Sequence, residues 1–222
     1  MPINSSDYPL ILIEGLDGVG KSTQVRELSR ILSAKVISTP QFIEDPLVPD
    51  KDLRMRMDSS PSAIRREYYR LSNFYASETA RQLIKYSPVI LDRYWCSTAA
   101  FSAMDENPPR WEVIGEWPAG LLIPDIVFLL VVDEENRNNR LSNRGENLTE
   151  EEIRIEQDYG NRQKIIEFYR CFDPIEIDTS NKTIQEVSKE ILSWLRVAEI
   201  INEDFISKRN FYKPRCDDGK KY

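Results

Sequence analysis

Histidine is absent from this chain of 222 residues, and cysteine is scarce. Without histidine, a Ser-His-Asp triad, a Cys-His dyad and a histidine metal site are all excluded. The three cysteines, Cys96, Cys171 and Cys216, are widely separated and include no Cys-x-x-Cys pair, which argues against a zinc cage and favours a reducing compartment. Catalysis by this chain must therefore rest on lysine, arginine, carboxylates and a hard cation such as Mg²⁺.

Long apolar runs and an excess of positive charge are missing as well. No segment approaches the ~20 apolar residues that a membrane-spanning helix requires, and the first eight residues have the character of neither a signal nor a transit peptide. The sequence thus predicts no membrane partner and a cytoplasmic location, with a mitochondrial one left open. The formal net charge of −7 argues against a nucleic acid polymer as partner, because such proteins usually carry a basic face.

Short apolar runs alternate with long helical patterns, which predicts an α/β fold with a parallel sheet covered on both faces. The five expected strands are Leu10 to Glu14, Val36 to Thr39, Val89 to Asp92, Ile126 to Val132 and Ile175 to Ile177. Helices should start at Lys21, at Ser60 with Pro61 in its first position, and at two capping boxes, Thr149 with Glu152 and Thr183 with Glu186. We predict a three-layer sandwich forming one domain over residues 1–200, with a lid around 137–150 and a polar tail at 201–222.

A phosphate-binding loop follows the first strand. Residues 15–23 fit the pattern G-x-x-x-x-G-K-[ST], in which backbone N–H groups and the next helix's N-terminus surround a polyphosphate. The predicted ATP-binding residues are Gly15, Asp17, Gly18, Val19, Gly20, Lys21, Ser22 and Thr23. Lys21 would reach the β- and γ-phosphates, and the Ser22 hydroxyl would ligate Mg²⁺. The alternative is an ordinary helix N-terminus at which Lys21 lies by chance. The strand predicted before the loop disfavours this alternative.

Two further groups of residues indicate phosphoryl transfer. Asp92 ends a buried strand, as a Mg²⁺-binding acid does beside such a loop, and Arg93 is placed to bridge donor and acceptor phosphates. Arg137, Arg140 and Arg144 precede a glycine and are typical of a closing lid that neutralises the transferred group. The alternative for Asp92 and Arg93 is a strand end stabilised by a salt bridge. The alternative for the three later arginines is a solvated charged helix.

A third arginine group lies before and within the long helix that should start at Ser60. Its members are Arg54, Arg56, Arg65, Arg66 and Arg70, and the helix also carries several aromatic residues. Some of these side chains could clamp an acceptor phosphate and stack on a base, although most aromatic residues at helical spacing belong to a core.

The chain resembles the thymidylate kinase family in the loop at 14–23, the triplet 92–94 and the Pro124-Asp125 strand that is followed by Arg140 to Gly145. Within that family the chain is similar to the UMP-CMP kinase 2 type, on Ile64-Arg65-Arg66, Leu71-Ser72-Asn73, Ala76-Ser77-Glu78 and the run 92–99. The resemblance covers roughly residues 8–196 and implies a homodimer.

Carried over by motif position, the resemblance implies roles for several residues. Asp17 would lie by the sugar hydroxyl of a nucleoside monophosphate, and Arg54 and Arg93 would hold its phosphate. Gly18 stands where many members have a basic residue; members without one use lid arginines, so Arg140 and Arg144 become the catalytic cations.

The chain also departs from the family at the base site. Arg70 aligns with an aromatic that stacks on thymine, and Phe74 aligns with an arginine that reads the base edge, so thymine specificity is not expected. Phe101 aligns with an aromatic that crowds the 2′ position of the sugar, which favours deoxyribose.

The predicted function is ATP- and Mg²⁺-dependent phosphorylation of a pyrimidine nucleoside or deoxynucleoside monophosphate, of the dTMP, dUMP, UMP or CMP class. The acceptor phosphate is anionic near neutral pH and needs no general base, which suits a chain without histidine. Three alternatives stay open. They are a dTMP-specific kinase, a nucleoside kinase with Glu44 or Asp45 as base, and a nucleotide-binding regulator without turnover.

Overall fold

The structure is a computed structural model, and it describes residues 8–40, 53–106, 108–142 and 158–201. The predicted tail lies outside these ranges except for Ile201, as do the first capping box, Arg144, Glu44 and Asp45. Of the predicted lid, residues 137–142 are described.

Five parallel strands form one sheet, as predicted, in the order β2-β3-β1-β4-β5. The strands are β1 (Leu10–Glu14), β2 (Lys35–Ser38), β3 (Val89–Asp92), β4 (Ile126–Val131) and β5 (Ile175–Asp178). Strand β1 lies at the centre and is buried along its whole length, which is why it reads as a continuous apolar run. Because all strands are parallel, their carboxyl ends meet at one edge of the sheet, and the ligand site of such folds lies there.

The helices connect these strands and cover both faces of the sheet. They are α1 (Lys21–Leu32), α2 (Leu53–Asp58), α3 (Ser62–Leu83), α4 (Trp95–Ser102), α5 (Glu134–Ser142), α6 (Tyr159–Arg170) and α7 (Ile184–Val197). Helix α1 packs against α7, whereas α4 packs against both α3 and α6. The three-layer α/β sandwich expected from the sequence is thereby confirmed.

The helix ends test the capping predictions. The box of Thr183 and Glu186 forms at the start of α7, with both reciprocal hydrogen bonds present. Pro61 precedes α3 as its N-cap residue instead of occupying the first helical position. Helix α6 begins at Tyr159, where the preceding Asp158 is extended and its carboxylate accepts hydrogen bonds from the first-turn N–H groups of Gly160 and Asn161. The helix start predicted at Thr149 lies outside the described residues.

The core is built from the central strands and the inward faces of the helices. Among its fully buried members are Leu12, Ile90, Phe128 and Trp95. Within the described ranges, no helix is long and apolar enough to cross a bilayer. Two cysteines fall in these ranges, and both Cys96 and Cys171 carry free thiols.

Candidate active site

The loop between β1 and α1 has the conformation that its glycines permit. Gly15, Gly18 and Gly20 all have positive φ angles, of +143°, +82° and +95°. At Gly15 a side chain is impossible, since a Cβ there would lie 2.5 Å from the carbonyl oxygen of Leu130. The sequence pattern therefore folds as a phosphate-binding loop that ends at the N-terminus of α1.

Lys21 is held at the centre of this loop. Its ammonium group donates a hydrogen bond of 2.8 Å to the carbonyl oxygen of Leu16 and lies 3.6 Å from Oδ1 of Asp17. Burial, together with the nearby charge of Arg93, lowers the pKa of Lys21 to about 8, although neighbouring carboxylates oppose the shift. An anion that enters the loop would therefore stabilise the charged form of Lys21.

Arg93 comes from the turn between β3 and α4, where its own φ is +64°. Its Nη2 donates a hydrogen bond of 2.8 Å to Oδ1 of Asp17, the same oxygen that faces Lys21. Nη1 of Arg93 donates to Ser97 Oγ at 3.2 Å and to the Tyr169 hydroxyl at 3.4 Å. One carboxylate thus lies between the lysine of the phosphate-binding loop and the arginine that follows the neighbouring strand.

Ser22 and Asp92 have oxygens suited to a hard cation. The Ser22 side chain is exposed in the first turn of α1, and Asp92 is partly exposed at the end of β3, where its charge acts on Lys21. A hydroxyl and a carboxylate are the ligand types that Mg²⁺ takes in addition to phosphate oxygens. No three His, Cys, Asp or Glu side chains of the described residues converge on an all-protein metal site.

Helix α5 packs directly on the loop. Arg137 is 2% exposed, and its Nε donates a hydrogen bond of 2.9 Å to the carbonyl oxygen of Asp17. A Cβ on Gly18 would lie 3.0 Å from Arg137 Cγ and 3.1 Å from Leu141 Cγ, so α5 leaves little room for a side chain at position 18. The charged segment therefore forms a helix as far as Ser142, but Arg137 within it is buried against the loop and not solvated.

Arg140 lies over the same loop. It donates hydrogen bonds to the Thr179 hydroxyl at 2.9 Å, to the Thr179 carbonyl at 2.6 Å and to the Gly18 carbonyl at 3.4 Å. The structure thus brings Arg140 to the phosphate-binding loop, together with Lys21, Asp17 and Arg93. Arg144, its predicted partner, lies outside the described residues.

The arginines of α3 are paired with acids. Arg66 forms a two-pronged interaction with Asp105, with hydrogen bonds of 2.7 and 3.0 Å, and donates to the Phe101 carbonyl at 2.9 Å. Arg70 contacts Glu112 and Glu67 and lies 5.3 Å from the Trp111 ring centre. We refer to Arg65, Arg66 and Arg70 as the α3 arginine cluster, and all three are buried.

The remaining predicted substrate residues are dispersed. Arg54 is exposed on α2, with Nε 3.6 Å from Oδ2 of Asp58. Phe74 is 41% exposed, and its ring faces Gly120. Phe101 is partly buried on α4, one turn after Ser97. Their roles in substrate binding stay predictions.

Sequence reasoning assigned no role to three buried side chains at this site. Glu14, Ser97 and Tyr169 form a hydrogen-bonded group behind Arg93. Burial is the main reason that the pKa values of Glu14 and Tyr169 are raised. The only available signal was Glu14 itself, an acid at the end of an otherwise apolar strand.

Comparison with known proteins identifies the family. The family model described as thymidylate kinase matches residues 13–191. UMP-CMP kinase 2 of human mitochondria is 33% identical over 204 residues, which are 87% of this chain but 44% of that protein. This chain thus spans less than half of the length of that relative. A probable thymidylate kinase of Methanocaldococcus jannaschii is 28% identical over 86% of this chain and 97% of its own length.

Solved structures agree on the fold. A thymidylate kinase from Candida albicans superimposes with a TM-score of 0.64 at 23% identity, covering 90% of this chain and 97% of that one. A deoxyadenosine kinase from M. mycoides gives 0.59 at 18% identity, covering 85% and 99%. The chain belongs to the thymidylate kinase family, which confirms the predicted family.

Proposed function

We propose that this member of the thymidylate kinase family transfers the γ-phosphoryl group of ATP to a pyrimidine nucleoside or deoxynucleoside monophosphate. The observation that carries the proposal is the pair of cations around Asp17, with Lys21 Nζ at 3.6 Å and Arg93 Nη2 at 2.8 Å from one carboxylate oxygen. Lys21 belongs to the phosphate-binding loop after β1, whereas Arg93 follows the neighbouring strand β3. Two adjacent cations from different strands suit transfer between two phosphates.

Each group has a separate task in this proposal. Lys21 contacts the β- and γ-phosphates, and Arg93 holds the acceptor phosphate close to the donor. Arg140 and Arg144 stabilise charge on the transferred group. Ser22 and Asp92 would hold Mg²⁺, which would neutralise phosphate charge when it is bound. Because a phosphate monoester has a second pKa of roughly 6, the acceptor oxygen is already anionic and no general base is required.

Residues of α3 and α4 are proposed to determine which monophosphate is accepted. Phe101 would crowd a 2′-hydroxyl and favour deoxyribose. Arg70 occupies the position of the aromatic residue that stacks on thymine in the family, and it is paired with Glu112 and Glu67. This argues against strict thymine selectivity. A dTMP-specific kinase is the alternative, and the names of several relatives support it.

A homodimer is the proposed assembly. Ile64, Leu71 and Phe74 are 53%, 62% and 41% exposed, and their spacing places them on one face of α3. The α3 arginine cluster occupies the buried face of the same helix. An exposed apolar face of this kind suits an isologous contact with a second copy. The cytoplasmic location stays a prediction.

Steady-state phosphorylation assays test the function. ADP release with ATP and Mg²⁺ is measured for dTMP, dUMP, dCMP, UMP and CMP, and for thymidine and deoxycytidine, with Lys21→Ala as the blank. Turnover with pyrimidine monophosphates supports the proposal. Turnover with the nucleosides alone favours a nucleoside kinase, and ATP binding without any turnover favours a regulator.

A further inference from the structure

A chain of buried hydrogen bonds stands behind Arg93. Glu14, at the end of β1, is 1% exposed and accepts hydrogen bonds from the backbone N–H groups of Tyr94 and Ser97 at 2.9 and 3.1 Å. Its second oxygen accepts from the Ser97 hydroxyl at 2.6 Å. The carboxylate therefore fixes the start of α4 and, through it, the Ser97 side chain.

Tyr169 joins this chain from α6. Its hydroxyl is 2.9 Å from Ser97 Oγ and 3.4 Å from Nη1 of Arg93, and the residue is 1% exposed. Nη1 of Arg93 also donates to Ser97 Oγ at 3.2 Å. The guanidinium is thus held on one edge by two hydroxyls and on the other by Asp17.

Donor and acceptor counting fixes the direction of every bond. A serine hydroxyl has one proton and two lone pairs, and the Ser97 proton goes to Glu14. Ser97 must then accept from both Arg93 and Tyr169, so the Tyr169 proton points to Ser97. The lone pairs of Tyr169 are left for Arg93, which can only donate. The bonds run from Arg93 through two hydroxyls to the buried Glu14 carboxyl group, and the donor and both acceptor positions of Ser97 are all used.

We infer that Tyr169, acting with Ser97, is a positioning residue that orients the Arg93 guanidinium toward the acceptor phosphate. The inference rests on the proposed function, in which Arg93 holds that phosphate. Arg93 lies in a turn with a left-handed backbone conformation between β3 and α4, so no regular element fixes its long side chain. Two buried hydroxyls fix one edge of the guanidinium, and Asp17 holds the other.

Removal of one hydroxyl isolates this role. Tyr169→Phe keeps the ring, which packs in the core, and deletes only the bond to Ser97 and the acceptor for Arg93. Tyr94→Phe is the matched control, because Tyr94 is a fully buried tyrosine beside Arg93 whose hydroxyl is not among the contacts of Arg93. We expect Tyr169→Phe to raise KM for the monophosphate about tenfold with KM for ATP within about twofold, as the loss of one bond to a charged group implies.

A double-mutant cycle separates positioning from a general structural effect. In an Arg93→Lys background, Tyr169→Phe should change KM for the monophosphate by less than about twofold, because the group that it orients is gone. An undiminished tenfold effect in that background would overturn the inference, as would equal effects of Tyr94→Phe and Tyr169→Phe in the wild type.

A readout without substrate keeps this test distinct from that of the proposed function. NMR of isotope-labelled arginine side chains reports rotation of each guanidinium, and the Arg93 signals are assigned by their loss in Arg93→Lys. We expect slow rotation of Arg93 in the wild type and in Tyr94→Phe, and fast rotation in Tyr169→Phe. Equal rotation in all three proteins overturns the inference. Slow rotation in a wild type that phosphorylates no monophosphate would remove the proposed function but would still show that Tyr169 holds the Arg93 guanidinium in place.

Discussion

Arg93 and the α3 arginine cluster are all paired with carboxylates, but the arginine side chains differ in exposure, and those of Arg65 and Arg66 are only 5% exposed each. The side chains of Arg93 and its partner Asp17 are 20% and 17% exposed, whereas those of Arg70 and Glu112 are 6% and 2% exposed. Water and a ligand can reach the first pair and are excluded from the second. An arginine can serve a phosphate only where the ligand can reach its guanidinium. If Arg70 turned to a ligand, the buried carboxylate of Glu112 would also be left unpaired.

This contrast predicts opposite results for substitutions near Asp17 and for substitutions in the α3 arginine cluster. Changes near Asp17 should reduce turnover and leave the free energy of unfolding nearly unchanged. Changes in the α3 arginine cluster should do the reverse.

Lys21→Ala should give the largest effect on the site side, with kcat lowered by about 10² or more. The lysine charge meets the phosphates in a buried loop, where a preorganised cation contributes most. The unfolding temperature should be equal to that of the wild type or higher, because a buried ammonium with a lowered pKa is not stabilising. Coupled ADP release and thermal unfolding measure both, with the exposed Lys189→Ala as control. Near wild-type transfer would remove Lys21 from the mechanism.

Asp105→Asn should give the largest effect on the α3 side. It leaves Arg66 buried without its two-pronged partner, and breaking a pair of this kind costs about 3 kcal/mol of unfolding free energy, or roughly 10² in the folded-to-unfolded ratio. Turnover per folded molecule should stay within about twofold. Urea unfolding and assays in low urea separate the two quantities.

Glu78→Gln on the same helix is the matched control for Asp105→Asn. Glu78 pairs with Arg81 at 3.7 Å on the surface, with side chains 63% and 46% exposed, so the change should be within about 1 kcal/mol. A loss of turnover without a loss of stability in Asp105→Asn would place Arg66 in the acceptor site and end the contrast.

Distance along the chain explains which of these features were predictable. The phosphate-binding loop is contiguous, so its glycines, Lys21 and Ser22 could be recognised together, and the sheet followed from five apolar runs. Asp105 lies 39 residues after Arg66, and Glu112 lies 42 residues after Arg70, in a segment without periodicity. From the sequence the α3 arginines therefore resembled free cations.

The buried residues behind Arg93 show a second limit. Ser97 and Tyr169 are 72 residues apart and meet only because α4 packs against α6. A tyrosine in an amphipathic helix reads as core, and only the folded structure reveals what its hydroxyl contacts. Sequence reasoning is strongest for local motifs and weakest for polar contacts between elements.

A pH profile sharpens the contrast on the site side. The pKa of Lys21 is lowered to about 8 in the nucleotide-free protein, so raising the pH above that value removes the charge that receives ATP. We expect kcat/KM for ATP to fall about tenfold per pH unit above about pH 8, and kcat to stay level to higher pH because bound phosphates favour the ammonium form. In Lys21→Arg the profile should be flat, since arginine keeps its charge. A flat wild-type profile up to about pH 9.5 contradicts this assignment.

The smallest expected effect concerns the sugar, and it tests whether α4 continues the site beyond Arg93. Ser97 contacts Arg93, and Phe101 lies one turn further on the same face of α4, where it is partly buried. If that ring crowds a 2′-hydroxyl, dUMP should be a better acceptor than UMP, and Phe101→Ala should narrow the ratio of kcat/KM values. Relief of a clash with one hydroxyl is worth about 1 to 3 kcal/mol, so we expect the ratio to change by about tenfold. The cavity left by the ring also loosens the pocket, but it does so for both substrates. Because the ratio compares two substrates in one variant, general loosening cancels. A wild type that prefers UMP would place Phe101 away from the sugar and confine the site to Lys21, Asp17 and Arg93.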